Sequence, residues 1–151
     1  MKKFKWRLQR VLDIKQKEEQ LKKIELTEIT SRLSITKGQL MMQKRILKNM
    51  IDDLGTQNPK DRLAGQALFM KRSEVNDKVI KELSQKANEL GAKQKEKVAE
   101  VLKVRQFKEG LEKLRAKNLE AFIKRQKKIE QKAVDDMTTY KFAQKAMQLM
   151  K

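Results

Sequence analysis

The sequence predicts an all-α fold, two long helices forming an antiparallel coiled-coil hairpin with the second helix longer than the first. Three observations predict it. Charged residues make up 38% of the 151, against one Trp, one Tyr and five Phe. That is the bias of long helices, too poor in large apolar side chains for a globular core. Leucines recur every seven residues at Leu26, Leu33, Leu40, Leu47 and Leu54, a heptad seam. Helix breakers gather in one place, "LGTQNPKDRLAG" at 54–65, which holds the lone Pro. High net charge also suits disorder, and the periodicity decides against it. One coiled-coil domain over 1–151 follows, with helix one at about 1–54, a turn at about 55–65 and helix two at about 66–150.

Helix one rests on the leucine ladder and its companions three residues on, Ile29, Thr36, Gln43 and Met50. Upstream, Phe4, Leu8 and Val11 follow the same alternation, and Leu21 and Ile24 resume in another phase, which reads as a stutter. On a helix running from residue 1, Trp6 falls about 200° around from Phe4 and off the seam, an exposed anchor for a partner or a residue packed on the other arm. Gly55, Pro59 and Gly65 end the helix. Asn58 can cap a new one, Pro suits a first turn and an early Asp61 favours the helix dipole, so helix two starts near 59 or 66.

In helix two, Ile80, Ala87 and Val101 alternate with Leu83, Leu90, Val104 and Leu111, and Gln94 and Lys97 interrupt the seam. After a phase shift, Leu119, Ala133, Tyr140 and Met147 pair with Phe122, Ile129, Ala143 and Met150. Glu-to-Lys/Arg pairs four apart, among them 19/23 and 120/124, each add a few tenths of a kcal/mol. At 1.5 Å per residue the arms span about 80 and about 130 Å. Residue 1 is expected opposite about 112–119, leaving the last 32–40 or so residues beyond the paired stretch by the same rise per residue.

The residue inventory excludes most chemistry. With no His and no Cys there are no triads, thiolates or common zinc sites. No Gly-rich phosphate loop occurs. Asp52/Asp53 and Asp135/Asp136 are adjacent on a helix, pointing about 100° apart, and read as solvated faces. No apolar run could cross a bilayer, and residues 1–20 hold no secretory signal. An enzyme is not expected. The net charge of +18 is informative. Residues 1–23 carry nine Lys/Arg against three acids, and 93–128 carry thirteen against five. An antiparallel hairpin sets those segments side by side, a surface that attracts an acidic partner. Nucleic acid is the obvious alternative, but no aromatics interleave with the cations and no groove-reading motif is present.

Two stretches, "FKWRLQRVLDIKQKEEQ" (4–20) and "EKLRAKNLEAFIKRQKKIEQKAVDDM" (112–137), resemble the two ends of the FliJ family of flagellar export proteins, in the flagellar type III secretion system. The family's opening has an aromatic, Arg-Leu, an aliphatic pair, a basic residue and Glu; its close has a basic run leading to an acidic pair, here Asp135 and Asp136. The resemblance covers the whole chain through the unequal hairpin. It implies a stalk without cofactor, cytoplasmic and peripheral to the inner membrane at the flagellar base. It inserts into the ring of a FliI-like hexameric export ATPase, promotes the ring's assembly, contacts the cytoplasmic domain of a FlhA-like export gate and escorts export chaperones.

Combined with the basic chain ends, the resemblance puts ring contact at Trp6, Arg7, Arg10, Lys22, Lys23, Lys113, Lys117 and Lys124. Gate contact in the family begins at a Phe early in helix two with a Leu four residues on. Phe69 fits, Ser73 departs, and Val75 and Val79 supply apolar surface in a shifted register; all three could equally face arm one. A generic coiled-coil tether, a nucleic-acid-binding coiled coil and a parallel homodimer are the rival readings.

Overall fold

A helix start favours acids and capping side chains because its first N–H groups lack partners. The stretch "KKFKWR" (2–7) offers four cations and no acid. Accordingly, in the computed structural model, which describes residues 2–150, residues 2–6 are not helical. A turn in which the Trp6 carbonyl accepts from the Gln9 N–H at 3.2 Å leads into α1, Gln9–Thr56. The expected helix from residue 1 is thus corrected by eight residues, and the angular argument for Trp6, which assumed a helix, lapses; Trp6 is half-buried.

The second break is a tight turn. The Asn58 carbonyl accepts from the Asp61 N–H at 3.0 Å, with Pro59 at the second position, where its fixed φ suits the geometry. The Asp61 carbonyl then accepts from the Gly65 N–H at 2.9 Å, so Asp61 holds the N-cap place of α2, Arg62–Leu149. Helix two therefore begins between the two starts that the sequence offered, and Gly65 is neither kink nor loop. A Cβ there would run into Oε1 of Gln57, so glycine lets that side chain lie against the first turn of α2.

The chain forms two compact units, residues 18–104 and residues 1–17 with 105–151. Within 18–104 the two helices pack antiparallel: Lys22 meets Glu100, Glu25 meets Lys97, Thr30 meets Gln94, and Gln43 meets Asn76, one number rising as the other falls. In the other unit Phe4 meets Phe122, Gln9 meets Arg115, and Lys15 meets Phe107 in the same sense. This is the expected helical hairpin, with α2 at 88 residues against 48 for α1.

The register of α1 is simpler than its apolar residues suggest. Gln9 and Glu18 apart, the less exposed positions run 8, 12, 15, 19, 22, 26, 29, 33, 36, 40, 43, 47, 50 and 54, an alternation of four and three. Val11, Leu21 and Ile24, which suggested a stutter, are exposed. Lys15, Glu19 and Lys22 take the seam positions instead, and Glu19 is buried. Geometry sets the register: once two helices are paired, whatever falls every three and four residues faces the partner, and long charged side chains fit by laying their stems along the seam.

On α2, Gln94 and Lys97 likewise occupy the seam rather than interrupt it. The phase shift near 119 is present, since Asn118 and Leu119 are both half-buried where one register hands over to the next. From Lys127 to Met150 every residue is exposed, a shorter unpaired stretch than expected. Residues 2–6 explain this, because extended chain covers about 3.3 Å per residue against 1.5 Å in a helix and carries Phe4 out to Phe122.

Candidate interaction surfaces

No group of His, Cys, Asp or Glu among the described residues is arranged to hold a metal ion, and no helix there is long and apolar enough to cross a membrane. What the chain presents is surfaces, charged and apolar.

In the unit built from residues 1–17 and 105–151, Phe4 and Phe122 pair with ring centroids 5.4 Å apart and planes tilted 52°. Arg115 sits with Cζ 5.6 Å from the Phe4 centroid, and its Nε donates to Gln9 Oε1 at 2.8 Å. The Lys15 ammonium lies 5.0 Å from the Phe107 ring. Aromatic faces and an amide thus hold cations at the seam where aliphatic residues are few. Around this cluster the exposed cations outnumber the exposed acids Asp13, Glu109, Glu112 and Glu120. Of the sequence-predicted ring-contact residues, Arg7, Arg10, Lys113 and Lys117 are exposed, Trp6 is half-buried, and Lys124 pairs with Glu120 at 3.4 Å on its own helix. The unit's sequence carries twenty Lys/Arg against seven Asp/Glu, thirteen of the chain's eighteen net charges. Beyond Gln126, Ile129, Ala133, Tyr140, Ala143, Met147 and Met150 continue the shifted heptad on a bare helix face.

Lys22 and Lys23 fall in the other unit and are engaged there. Lys22 Nζ donates to Glu100 Oε2 at 3.0 Å, and Lys23 pairs with the buried Glu19 at 3.1 Å. Lys97 bridges Glu25 at 2.7 Å and Glu100 at 3.1 Å. The hydrogen bond from Lys97, with its charge, lowers the Glu25 carboxyl below its ordinary value. Bonds first from Lys22 and then from Lys97 lower that of Glu100. The two carboxylates, Glu25 foremost, raise the Lys97 ammonium. Lys22 and Lys97 link the helices and Lys23 holds Glu19 on its own helix, so Lys22 and Lys23 are less available to a partner than their numbers in a basic run imply.

Farther along the same unit, Phe69 is half-buried beside Leu54 and Gln57, Val75 is 64% exposed and Val79 half-buried. Val75 and Val79 line a cleft of about 490 Å³ with Ile46 and Met50 of α1, while Phe69 lines a different, smaller one. The expected gate-contact residues are therefore split between two clefts. One residue that sequence reading passed over is Asn76. It occupies a seam position with 5% exposure, its Nδ2 donates to the Gln43 carbonyl at 3.2 Å, and its Oδ1 is buried with no partner.

The model of the family described as "Flagellar FliJ protein" matches residues 4–147. Comparison with the curated proteins and with the solved structures finds no match. The family match spans nearly the whole chain, both helices and the basic segments at either end: the chain belongs to the FliJ family of flagellar export components.

Proposed function

We propose that this chain acts without catalysis as a stalk of the flagellar export apparatus. In this reading the paired chain ends enter the ring of a hexameric export ATPase and promote its assembly and hydrolysis. The early part of α2, at Phe69, Val75 and Val79, reaches the cytoplasmic domain of the export gate, and export chaperones bind as further clients. The protein then works on the cytoplasmic side, peripheral to the inner membrane at the flagellar base. The observation that supports this best is the charge of the unit containing both chain ends, +13 of +18, with exposed Arg7, Arg10, Lys113 and Lys117 around a seam held by Phe4, Arg115 and Phe122. Such a surface speeds encounter with an acidic lumen and supplies rim contacts to it.

The test is the hydrolysis rate of a purified flagellar export ATPase with and without this protein. Wild type should raise it, and the fourfold charge reversal Arg7→Glu, Arg10→Glu, Lys113→Glu, Lys117→Glu should remove the rise. These four are preferred to Lys22, whose reversal would also break a link between the helices, and to Lys23, which is engaged with the buried Glu19 on its own helix. Full stimulation by the reversed protein, with unchanged helicity, would overturn the ring-contact assignment. Tight, salt-sensitive binding to duplex DNA with no effect on the ATPase would favour the nucleic-acid reading instead.

A further inference from the structure

Two openings beside the hairpin in residues 18–104 lie on one flank. The first, about 490 Å³, is lined by Ile46, Val75, Asn76 and Val79. The second, about 470 Å³, is lined by Arg32, Ile35, Gln39, Lys86 and Lys93. Their positions repeat by heptads on both helices: 32, 39 and 46 on α1, and 72, 79, 86 and 93 on α2. Residues seven apart share a face, so the two openings are successive parts of one furrow between α1 and α2.

The furrow has a definite chemistry. Its apolar lining is Ile35, Ile46, Met50, Val75, Val79 and the buried Leu90, with Thr36, Gln43 and Asn76 of the seam beside them. Its walls carry the cations Arg32, Lys71, Arg72, Lys86 and Lys93 against two acids, Glu89 and, one heptad before it on the same face, Glu82. None of these five meets a carboxylate within ion-pair distance among the described residues, whereas Lys22, Lys23 and Lys97 in the same unit all do. Asn76, itself 5% exposed, lines the first opening with an acceptor that nothing in the chain satisfies. Buried acceptors of that kind find a donor in nearly every settled structure.

From this we infer that the flank is a docking groove for an acidic amphipathic helix of a partner protein. Anchors at i, i+3, i+4 and i+7 drop between α1 and α2, Glu and Asp on the helix flanks meet the five wall cations, and one donor reaches Asn76 Oδ1. Helix-in-groove recognition needs apolar side chains between two helices to receive the anchors, here Ile35, Ile46, Val75 and Val79, and the uncompensated wall charge selects an acidic occupant over a basic one. A second copy of this chain does not fit, because its unpaired helix, residues 127–150, is itself basic, with five Lys against three acids. The inference rests on the gate-contact reading only in taking Val75 and Val79 as a contact surface.

The test is fluorescence anisotropy with a labelled 21-residue helical peptide bearing a Leu stripe and Glu flanks, beside a twin with Lys flanks. The Glu peptide should bind the full chain and weaken several-fold between 50 and 300 mM salt; the Lys twin should not bind. Arg72→Glu with Lys86→Glu and Lys93→Glu should weaken the Glu peptide at least tenfold, as should Val75→Glu, an exposed site whose substitution leaves the hairpin paired. Equal binding by these variants, or loss only on Tyr140→Glu with Met147→Glu in the other unit, would overturn the groove. A parallel arm uses the cytoplasmic domain of a flagellar export gate. If that domain binds through Val75 but the Glu peptide neither binds nor competes, the gate reading stands and the acidic-helix groove fails. If the peptide binds the furrow and the gate domain binds nowhere, the groove stands and the gate reading fails.

Discussion

Residues 62–126 and 127–149 of α2 are parts of one helix with the same kind of repeat, yet one is paired and the other bare. In the paired stretch Leu90, Val101 and Val104 are at most 9% exposed; in the bare one Ile129 is 61% exposed, Tyr140 64% and Met147 73%. The chemistry of the stripes differs little. What differs is that α1 supplies a facing helix for one and nothing for the other. A heptad stripe states that a helix wants a partner; it does not say whether the partner is in the same chain. In an export component the bare stretch then reads as surface held for another protein, and the paired stretch as the support that holds it.

The sharpest way to break this comparison is to truncate matched side chains on the two stretches. Leu90→Ala removes buried methyl groups from a seam with little else to fill the gap and should cost about 2–3 kcal/mol in urea unfolding followed by circular dichroism. Ile129→Ala, on the bare face, should stay within about 0.5 kcal/mol of wild type. Equal losses at the two sites would mean that residues 127–149 are covered in the free protein, and the comparison would fail.

A smaller effect tests the junction. Phe4→Ala deletes the ring pair with Phe122 and the face under Arg115. Ring pairs and cation–π contacts of this kind are worth about 0.5–1.5 and about 0.5–1 kcal/mol, so a loss of about 1–2 kcal/mol is expected. Hydrogen exchange should quicken around Gln9 and Arg115 and stay unchanged near Leu33 and Leu90. Uniform quickening along both helices would deny that Phe4 holds only its own end.

Legibility from sequence followed the apolar residues. The ladder from Leu26 to Leu54 and the phase shift near Leu119 were plain, because leucines and a phenylalanine mark them. The seam from Lys15 to Lys22 was not, since its side chains are charged and the eye moves to Val11, Leu21 and Ile24, which the paired geometry turns outward. The late helix start was signalled by four cations without a cap, a signal outweighed by the spacing of Phe4 and Leu8. Charge balance marked the basic unit correctly but could not tell engaged lysines from free ones: Lys22 and Lys113 look alike until Glu100 is seen beside one of them. The furrow was beyond reach, because it arises only when 32, 39 and 46 are laid against 72, 79, 86 and 93.

The smallest expected effect asks what charged seam residues contribute where leucines are missing. Glu25 and Glu100 have carboxyl values lowered from 4.5 by hydrogen bonds from Lys97 and Lys22. A carboxylate whose value is lower folded than unfolded binds fewer protons when folded. Its contribution is therefore complete above the ordinary value and is lost as pH falls through the lowered one. Lys97, raised from 10.5, contributes fully below that pH and loses its contribution as pH rises through the raised value. Between those limits the network is intact and pH-independent. Glu100→Gln should then lower the urea midpoint slightly at pH 7, by an amount that shrinks with added salt because the pair is partly solvated. The difference from wild type should shrink and vanish as pH falls through the lowered value of Glu100, where both proteins come to carry an uncharged side chain at position 100. A difference that persists undiminished below that value would assign the role of Glu100 to the packing of its stem and not to its charge, and Lys97 would then hold the helices through Glu25 alone.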